Sequence, residues 1–538
     1  MERPRDLVLA GYHVKAIDGA TVGQFWEQAH VHHPQALGIA SIHHVYVCPP
    51  HVVVAPGPVD PSGVVELVHA VFLILRAVLV QQRHDIIFAL YKFFPNHNLK
   101  YLYTKNSWRR FNKVNIIMIK NKNIVRVSLA SGIGTLFEWY DFLIYAVATG
   151  LVFKHIFFPA TDPAMAMLLS ILTFGVGYVV RPLGGIIFGY YGDRVGRKSM
   201  LMFTLILMGI STFAIGLLPT YNEVGVWAPV MLVALRVLQG LSFGGEWAGG
   251  SIMILEHAPS RHRGLFASLV QMGYPIGFLL ASGVFLLTIQ LSGDQFLEWA
   301  WRLPFLLSII LVVVGVVIRY RIAETPVFQQ LQKKKKLLRV PFMHVFRHEK
   351  KPLFLGIGIK TSEIAWGYLP SVFFPLWAVN NLGVARGDVM YYIFIAMFIS
   401  IIVIPATAYL SDRIGRRKIF LYTAAIMTLL AVPMWLAMQQ GQFGLPVVVG
   451  LVAGAVMLSP LAALLPESFS AASRYSGASL ANQVAAALGG GVVPAVASWI
   501  AISSGSLVGV GILMAVLSLI TFLCAAMSSE TQNKSLLI

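Results

Sequence analysis

Charged residues are scarce. Of 538 residues only 12% are Asp, Glu, Lys or Arg, against 57% hydrophobic, whereas soluble domains carry about 25% charged residues. So few charges cannot coat a globule of this length, but they suffice to edge a body whose outer surface faces lipid, which nearly excludes a soluble enzyme. Acidic residues are scarcer still, 23 against 41 Lys and Arg. Cysteine is almost missing: Cys48 and Cys524 are the only two, which excludes a disulfide framework and a cysteine zinc site and gives no sign of redox chemistry. The first 30 residues contain no continuous apolar core, so a secretory signal is not expected.

Long apolar runs are plentiful. From Val127 they recur over 127–152, 165–191, 199–219, 228–255, 264–290, 303–319, 353–379, 389–410, 419–438, 444–465, 477–501 and 505–527. Each is close to the roughly 20 residues that a helix needs to cross a bilayer, so twelve transmembrane helices are predicted. The charged stretch from Arg319 to Lys351, with Lys333 to Lys336 in a row, separates two sets of six. The expected organisation is a six-helix half over 118–320, a cytoplasmic linker over 321–352 and a second six-helix half over 353–538.

Residues 1–117 read differently. Ten of the fifteen histidines lie there, without regular periodicity, and Val64 to Val80 is a short apolar run broken by Glu66, His69 and Arg76, so it is not counted as a span. The histidine spacing offers no helical i,i+4 pair, which argues against a metal site. A poorly structured, non-homologous extension is expected, with the working chain starting near Met118.

The basic residues report topology. Of 30 Lys and Arg from Met118 onward, 24 fall in the short tail before span 1, in the loops after the even-numbered spans and in the C-terminal tail; Lys154, Arg302 and Arg386 are on the other side. By the positive-inside rule both termini are cytoplasmic. The net charge of +18 is therefore mainly a topology signal, and a nucleic-acid partner is not expected.

The halves repeat a motif. Gly189-Tyr-Tyr-Gly-Asp193-Arg194-Val-Gly196-Arg197-Lys198 follows span 2, and Ala408-Tyr-Leu-Ser-Asp412-Arg413-Ile-Gly415-Arg416-Arg417-Lys418 follows span 8, 219 residues later. Glu256 to Arg263-Gly264 after span 4 is echoed by Glu467 to Arg474-Gly477 after span 10. The sequence here resembles the major facilitator superfamily, whose transporters are built from repeated halves. Glu138-Trp139-Tyr140-Asp141-Phe142, Arg181-Pro182-Leu183-Gly184-Gly185, Leu235-Arg236-Val237-Leu238-Gln239-Gly240, Gly244-Gly245-Glu246-Trp247 and Trp301-Arg302-Leu303-Pro304-Phe305 look like the metabolite:proton symporter family within it. The resemblance spans residues 127–528. One departure is Phe469 to Arg474, where the family usually carries a Pro-Thr-Arg loop.

Ionisable residues inside spans are expensive and mark function: Glu138, Asp141, Arg181, Arg236, Glu246, Lys360 and Glu363. The pairs Glu138/Asp141 and Lys360/Glu363 are three apart and share a helix face. Asp141, with Glu138, is expected to carry the proton by pairing with and leaving Arg236, which the resemblance places in the coupling region; a permanent structural ion pair is the alternative. Arg181, Arg236 and Lys360 suit a substrate carboxylate. Trp139, Tyr140, Tyr145, Trp247, Trp366 and Tyr368 could instead box a quaternary ammonium. The expected substrate contacts are Arg181, Tyr145, Glu246, Trp247, Lys360 and Glu363. Gly189, Asp193, Arg194, Gly196, Arg197 and, in the second half, Asp412, Arg413, Gly415 and Arg416 form the expected cytoplasmic gate. The resemblance implies that Asp193 meets the start of span 11 and that the arginines join an interdomain charge network.

These features predict an all-α membrane protein importing a small organic acid by proton symport, acting as a monomer without cofactor or metal. Proton-coupled uptake of a zwitterion such as proline or betaine, and export on the same fold, are the alternatives. Export loses ground because Gly273-Tyr274-Pro275-Ile276-Gly277 lacks the Gly-Pro order usual in span 5 of exporters. A uniporter would not need the buried carboxylates, and nothing in the spans resembles an enzyme's catalytic constellation.

Overall fold

The computed structural model describes residues 122–159 and 163–536, together with two short antiparallel hairpins, Leu7–Leu9 with Tyr12–Val14 and Val45–Cys48 with His51–Val54. The start expected at Met118, the Val64–Val80 run and most of the histidine-rich segment lie outside the described residues. The hairpins belong to one unit, Met1–Phe111, and the helices to another, Asn112–Ile538.

The helical unit consists of twelve rods. They are α1 (Lys122–Ala148, continued to Ile156), α2 (Pro163–Arg194), α3 (Arg197–Gly216), α4 (Trp227–His257), α5 (Arg263–Gln271 and Gly273–Ser292), α6 (Leu303–Leu306 and Ser308–Tyr320), α7 (Lys350–Tyr368, continued to Leu382), α8 (Arg386–Ile414), α9 (Arg416–Gln439), α10 (Gly444–Glu467), α11 (Arg474–Ala486, continued to Ser504) and α12 (Val508–Met527). Among the described residues eleven helices are long and apolar enough to cross a membrane. The rod left out of that eleven is α7, whose first segment carries Lys350, Lys351, Lys360 and Glu363. The linker carries two short helices, Pro326–Lys333 and Pro341–His348.

The duplication is visible in the packing. α2 lies on α4 as α8 lies on α10, α3 on α6 as α9 on α12, and α1 on α5 as α7 on α11. A π-helical turn interrupts α1 at Thr149–Phe153 and α7 at Leu369–Phe373, an offset close to that of the sequence motif. The halves meet along α2/α11 and α5/α8. Small residues make the closest crossings possible, since helices in lipid associate mainly by close packing. On the α2/α4 crossing, a Cβ at Gly244 would lie 2.5 Å from the Arg181 carbonyl oxygen; at the α2/α11 crossing, one at Gly189 would lie 2.8 Å from Ser476 Cα. The outer surface is apolar, with Val179 75%, Ile502 83% and Leu291 86% exposed. Those exposures suit lipid and would be costly in water.

Candidate functional site

At the end of the bundle that carries the basic loops, each half caps a helix of the other. The amides of Tyr475 (3.2 Å) and Ser476 (2.9 Å) at the start of α11 donate to the Asp193 carboxylate at the end of α2. Reciprocally, the amides of Gly264 and Leu265 at the start of α5 in the first half, both at 2.8 Å, donate to Asp412 at the end of α8 in the second. The first amides of a helix have no partner within it and carry the positive end of its dipole, so an anion is favoured there. Around these caps lie the two buried charge clusters. Arg197 is 3.7 Å from Asp193 and 3.6 Å from Glu256, and Arg474 of the second half reaches Glu256 at 2.8 Å. Arg416 is 3.3 Å from Asp412 and 2.5 Å from Glu467, with Arg263 of the first half 3.7 Å from Glu467. Arg197 also donates to the Ala471 carbonyl (3.1 Å) across the interface. The amide caps, Arg474–Glu256, Arg263–Glu467 and Arg197–Ala471 join the halves, whereas Arg197 with Asp193 and Glu256, and Arg416 with Asp412 and Glu467, stay within one half; separating the halves therefore breaks the crossed links.

Gly196 (φ 130°) and Gly415 (φ 104°) turn the chain sharply between the paired helices, in a region that favours glycine. Each turn is seated on a glutamate: Glu324 accepts from the Lys198 amide (3.1 Å), and Glu530 from the amides of Arg416 (3.0 Å) and Arg417 (3.1 Å). Arg194 and Arg413 differ from expectation. They point to the outside and bond the hydroxyls of Tyr190 and Tyr409, one turn back on their own helices. Arg197 and Arg416, three residues later and beyond the glycine turns, are the buried members of the network.

Between the halves lies a cavity of about 60 Å³, room for a few waters and well below the roughly 300 Å³ of a pocket that encloses a small metabolite. Arg181, Trp247, Lys360 and Glu363 line it, as do Trp139, Tyr178, Gln271, Tyr274, Tyr368 and Asn482. The Arg181 guanidinium lies over the rings of Phe243 (3.6 Å), Tyr178 (4.2 Å) and Phe142 (4.3 Å). Its Nε and Nη2 have no hydrogen-bond partner among the described residues. Lys360 Nζ is 2.6 Å from the Glu363 carboxylate and 5.5 Å from the Trp247 ring centroid, across the interface. Trp247 Nε1 donates to Gln271 Oε1 (2.9 Å), whose Nε2 donates to the Leu458 carbonyl (2.8 Å).

Two expected substrate contacts lie elsewhere. Glu246 is turned into the first half, where the Arg319 guanidinium takes both its oxygens and Thr204 donates to it at 2.7 Å; its charge is already neutralised. Tyr145 donates to Thr173 Oγ1 (2.8 Å) and lies beneath the Arg236 guanidinium, 4.0 Å from it. Trp366 is likewise occupied, with Nε1 donating to Ser518 Oγ (3.0 Å).

Asp141 and Arg236 are not paired in this state. Arg236 is fully buried among Tyr145, Phe142 and Phe174 and donates to Gln239 Oε1 (3.1 Å). Gln239 Nε2 donates to Thr212 Oγ1 (2.8 Å), whose hydroxyl donates to the Met208 carbonyl (2.9 Å). Both oxygens of Glu138 and one of Asp141 have no hydrogen-bond partner among the described residues, although the side chains are buried. They border a second, separate void of about 10 Å³, walled also by Thr204, Ser242, Phe243 and Glu246.

Sequence reasoning did not single out Arg319, Glu324, Glu530, Thr212 or Gln239. The echo of Glu256/Arg263 in Glu467/Arg474 was the available signal for the cross-half pairs, since duplicated charges at duplicated helix ends form complementary contacts when the halves face each other.

The sequence profile of the Major Facilitator Superfamily matches residues 132–490 and 355–535. The inner membrane metabolite transport protein YhjE of Escherichia coli K12 is 38% identical over 76% of this chain and 95% of its own. The shikimate transporter of the same organism is 37% identical over 69% of this chain and 87% of its own. Among solved structures, the proton:xylose symporter XylE superposes with a TM-score of 0.63 at 18% identity, over 77% of this chain and 98% of that one. At that identity the likeness concerns the fold. The chain is a multi-pass membrane transporter of small molecules and not an enzyme. It belongs to the Major Facilitator Superfamily.

Proposed function

We propose that this transporter imports a small organic acid together with a proton, as a monomer in a bacterial inner membrane, by alternating access between its halves (118–320 and 353–538). The carrying observation is Arg181: a buried guanidinium at the central cavity, stacked on aromatic rings, with two nitrogens left without a protein acceptor. Leaving such donors unmade is costly unless a ligand completes them, and a carboxylate fits a guanidinium with two parallel hydrogen bonds. Lys360 supplies a second cation on the opposite half, so that an anionic solute would draw the halves together. Glu138 and Asp141 supply the proton-carrying carboxylates, and Arg236, which donates here to Gln239, is the cation they would pair with.

The network around Asp193 and Asp412 then acts as the gate on the cytoplasmic side, where the basic loops and both termini lie by the positive-inside rule. Closed here, it opens when the halves rock apart, and Gly189, Gly196 and Gly415 set its close crossings and turns.

A zwitterion is the second reading. The rings of Trp139, Trp247 and Tyr274 beside Glu363 could hold a quaternary ammonium by cation–π attraction, with Arg181 taking the carboxylate. Uptake of labelled shikimate, other organic acids, proline and betaine into proteoliposomes, with and without an imposed pH gradient, decides between the two. Accumulation of an acid that collapses with a protonophore is expected. Uptake whose rate and final level ignore the gradient would end the symport reading.

A further inference from the structure

The void beside Glu138 and the central cavity are distinct spaces with one wall in common. α1 sends Glu138 and Asp141 to the void and Trp139 to the cavity; α4 sends Ser242 and Glu246 to the void and Trp247 to the cavity. Phe243 lines both. Its ring is fixed edge-on against Trp139 (5.5 Å) and tilted against Phe142 (5.2 Å), with the Arg181 guanidinium 3.6 Å above it. Its carbonyl oxygen and that of Gly244 accept from Gln483 Nε2 (3.2 and 3.1 Å), a residue of α11 in the other half.

We propose that Phe243 is the partition that separates the Glu138 ion site from the solute cavity and so keeps proton and solute movement coupled. The inference deepens the symport reading and rests on it. With the ring in place, the void holds about one water-sized particle, since such a site needs roughly 10–15 Å³, and its contents do not mix with the cavity. The ring sits under Arg181 on one side and its backbone is tied to α11 on the other. A solute carboxylate that moves Arg181, or a rocking motion that withdraws Gln483, therefore acts on the same residue. When the partition yields, a proton from cavity water forms an O–H bond on a Glu138 oxygen, and it leaves by the reverse step. The ionisable groups facing Glu138 are Asp141 on its own helix, Arg181 of α2, Glu246 of α4 and Arg319 of α6. α3 contributes the Thr204 hydroxyl, and α5 brings Tyr274 against Trp139 on the cavity side.

The test needs no solute. The purified full chain is reconstituted with a pH dye inside, a pH gradient is imposed, and the membrane potential is clamped with potassium and valinomycin. Wild type should be tight. Phe243→Ala joins the two spaces, and its solute-free proton influx should rise about tenfold or more in rate. Phe243→Leu, which keeps most of the wall, should stay near wild type, and adding Glu138→Gln to Phe243→Ala should return the flux to the wild-type level. If Phe243→Ala does not yield folded protein, Phe243→Val takes its place with a smaller rise. A truncated variant as tight as wild type, or a leak that Glu138→Gln does not reduce, overturns the partition. The two failures read differently: uptake indifferent to pH in the wild type removes symport itself, whereas proton-driven uptake with a tight Phe243→Ala removes only the partition.

Discussion

Replacing Asp193 with Asn should open the basic-loop face. In the closed state the Asp193 carboxylate accepts two amides of α11, at 3.2 and 2.9 Å, and lies 3.7 Å from Arg197, all buried. An asparagine oxygen can still take one amide, but its NH2 group then faces the other donor. A hydrogen bond to a charged group contributes about 1.5–3 kcal/mol, and the amide left without an acceptor adds a desolvation cost of similar size. With water filling the breach, a net loss of about 2–4 kcal/mol is expected, confined to the closed state because the contact exists only there. At about 1.4 kcal/mol per factor of ten, the closed-to-open ratio falls by about 30- to 700-fold. Spin labels at the exposed positions Val195 and Lys418, one in each half, in a Cys48→Ser/Cys524→Ser background and in nanodiscs, report the distance distribution by pulsed electron resonance. A long-distance population should appear or dominate in Asp193→Asn, and Asp412→Asn should act in the same direction. An unchanged distribution in both variants would show that the two caps do not hold the face closed.

Arg181→Ala should abolish uptake of an acid substrate by about 100-fold or more, consistent with loss of a paired, desolvated guanidinium contact, while thermal stability in detergent stays near wild type. Glu138→Gln and Asp141→Asn should keep solute exchange down a gradient but lose accumulation driven by a pH difference; retention of accumulation in both removes the proton role. Gly244→Ala places a methyl 2.5 Å from the Arg181 carbonyl and the Gly185 amide nitrogen, so α2 and α4 must part, costing about 1–3 kcal/mol and lowering the melting temperature. Arg319→Ala strands Glu246 without its cation, and a loss of about 3–5 kcal/mol is expected; Arg319→Met paired with Glu246→Leu should recover much of it.

The rods were legible because a bilayer imposes one requirement on every span, a run of apolar residues; eleven meet it, and α7, with four charges in its first segment, was legible from its place in the repeat. The charge network at the helix ends was partly legible because duplication printed it twice. Asp193 and Asp412 could be read as helix-end anions, and both indeed take amides of the opposite half. Arg194 and Arg413 could not be sorted from Arg197 and Arg416 by spacing alone, since which side of a helix end faces the partner depends on how the halves dock. The same limit explains Glu246. An intramembrane carboxylate next to Trp247 looks like a cavity residue, yet one step along a helix turns a side chain by about 100°, and Glu246 faces Arg319 while Trp247 faces the cavity. Arg319 stands at the far end of span 6, where a basic residue reads as simple flanking charge.

The geometry also constrains how the proposed gate would work. Asp193 belongs to the first half and binds the second, while Asp412 belongs to the second and binds the first. Each cap is therefore lost when the halves part, and neither can be kept by a motion confined to one half. Arg474 with Glu256 and Arg263 with Glu467 add a crossed pair of the same kind. Two crossed sets that share a pseudo-twofold relation break over the same displacement, which favours two discrete states over a graded series. Gln483 lies on α11, the helix whose start Asp193 caps. Opening the basic face thus withdraws from Phe243 the one cross-half hydrogen bond its carbonyl accepts among the described residues. The proposed gate at the helix ends and the proposed partition are consequently linked through a single rod, α11, so a gate variant such as Asp193→Asn should raise solute-free proton influx as well, with Phe243 intact. Proton tightness preserved in a variant whose distance distribution has demonstrably opened would break that link.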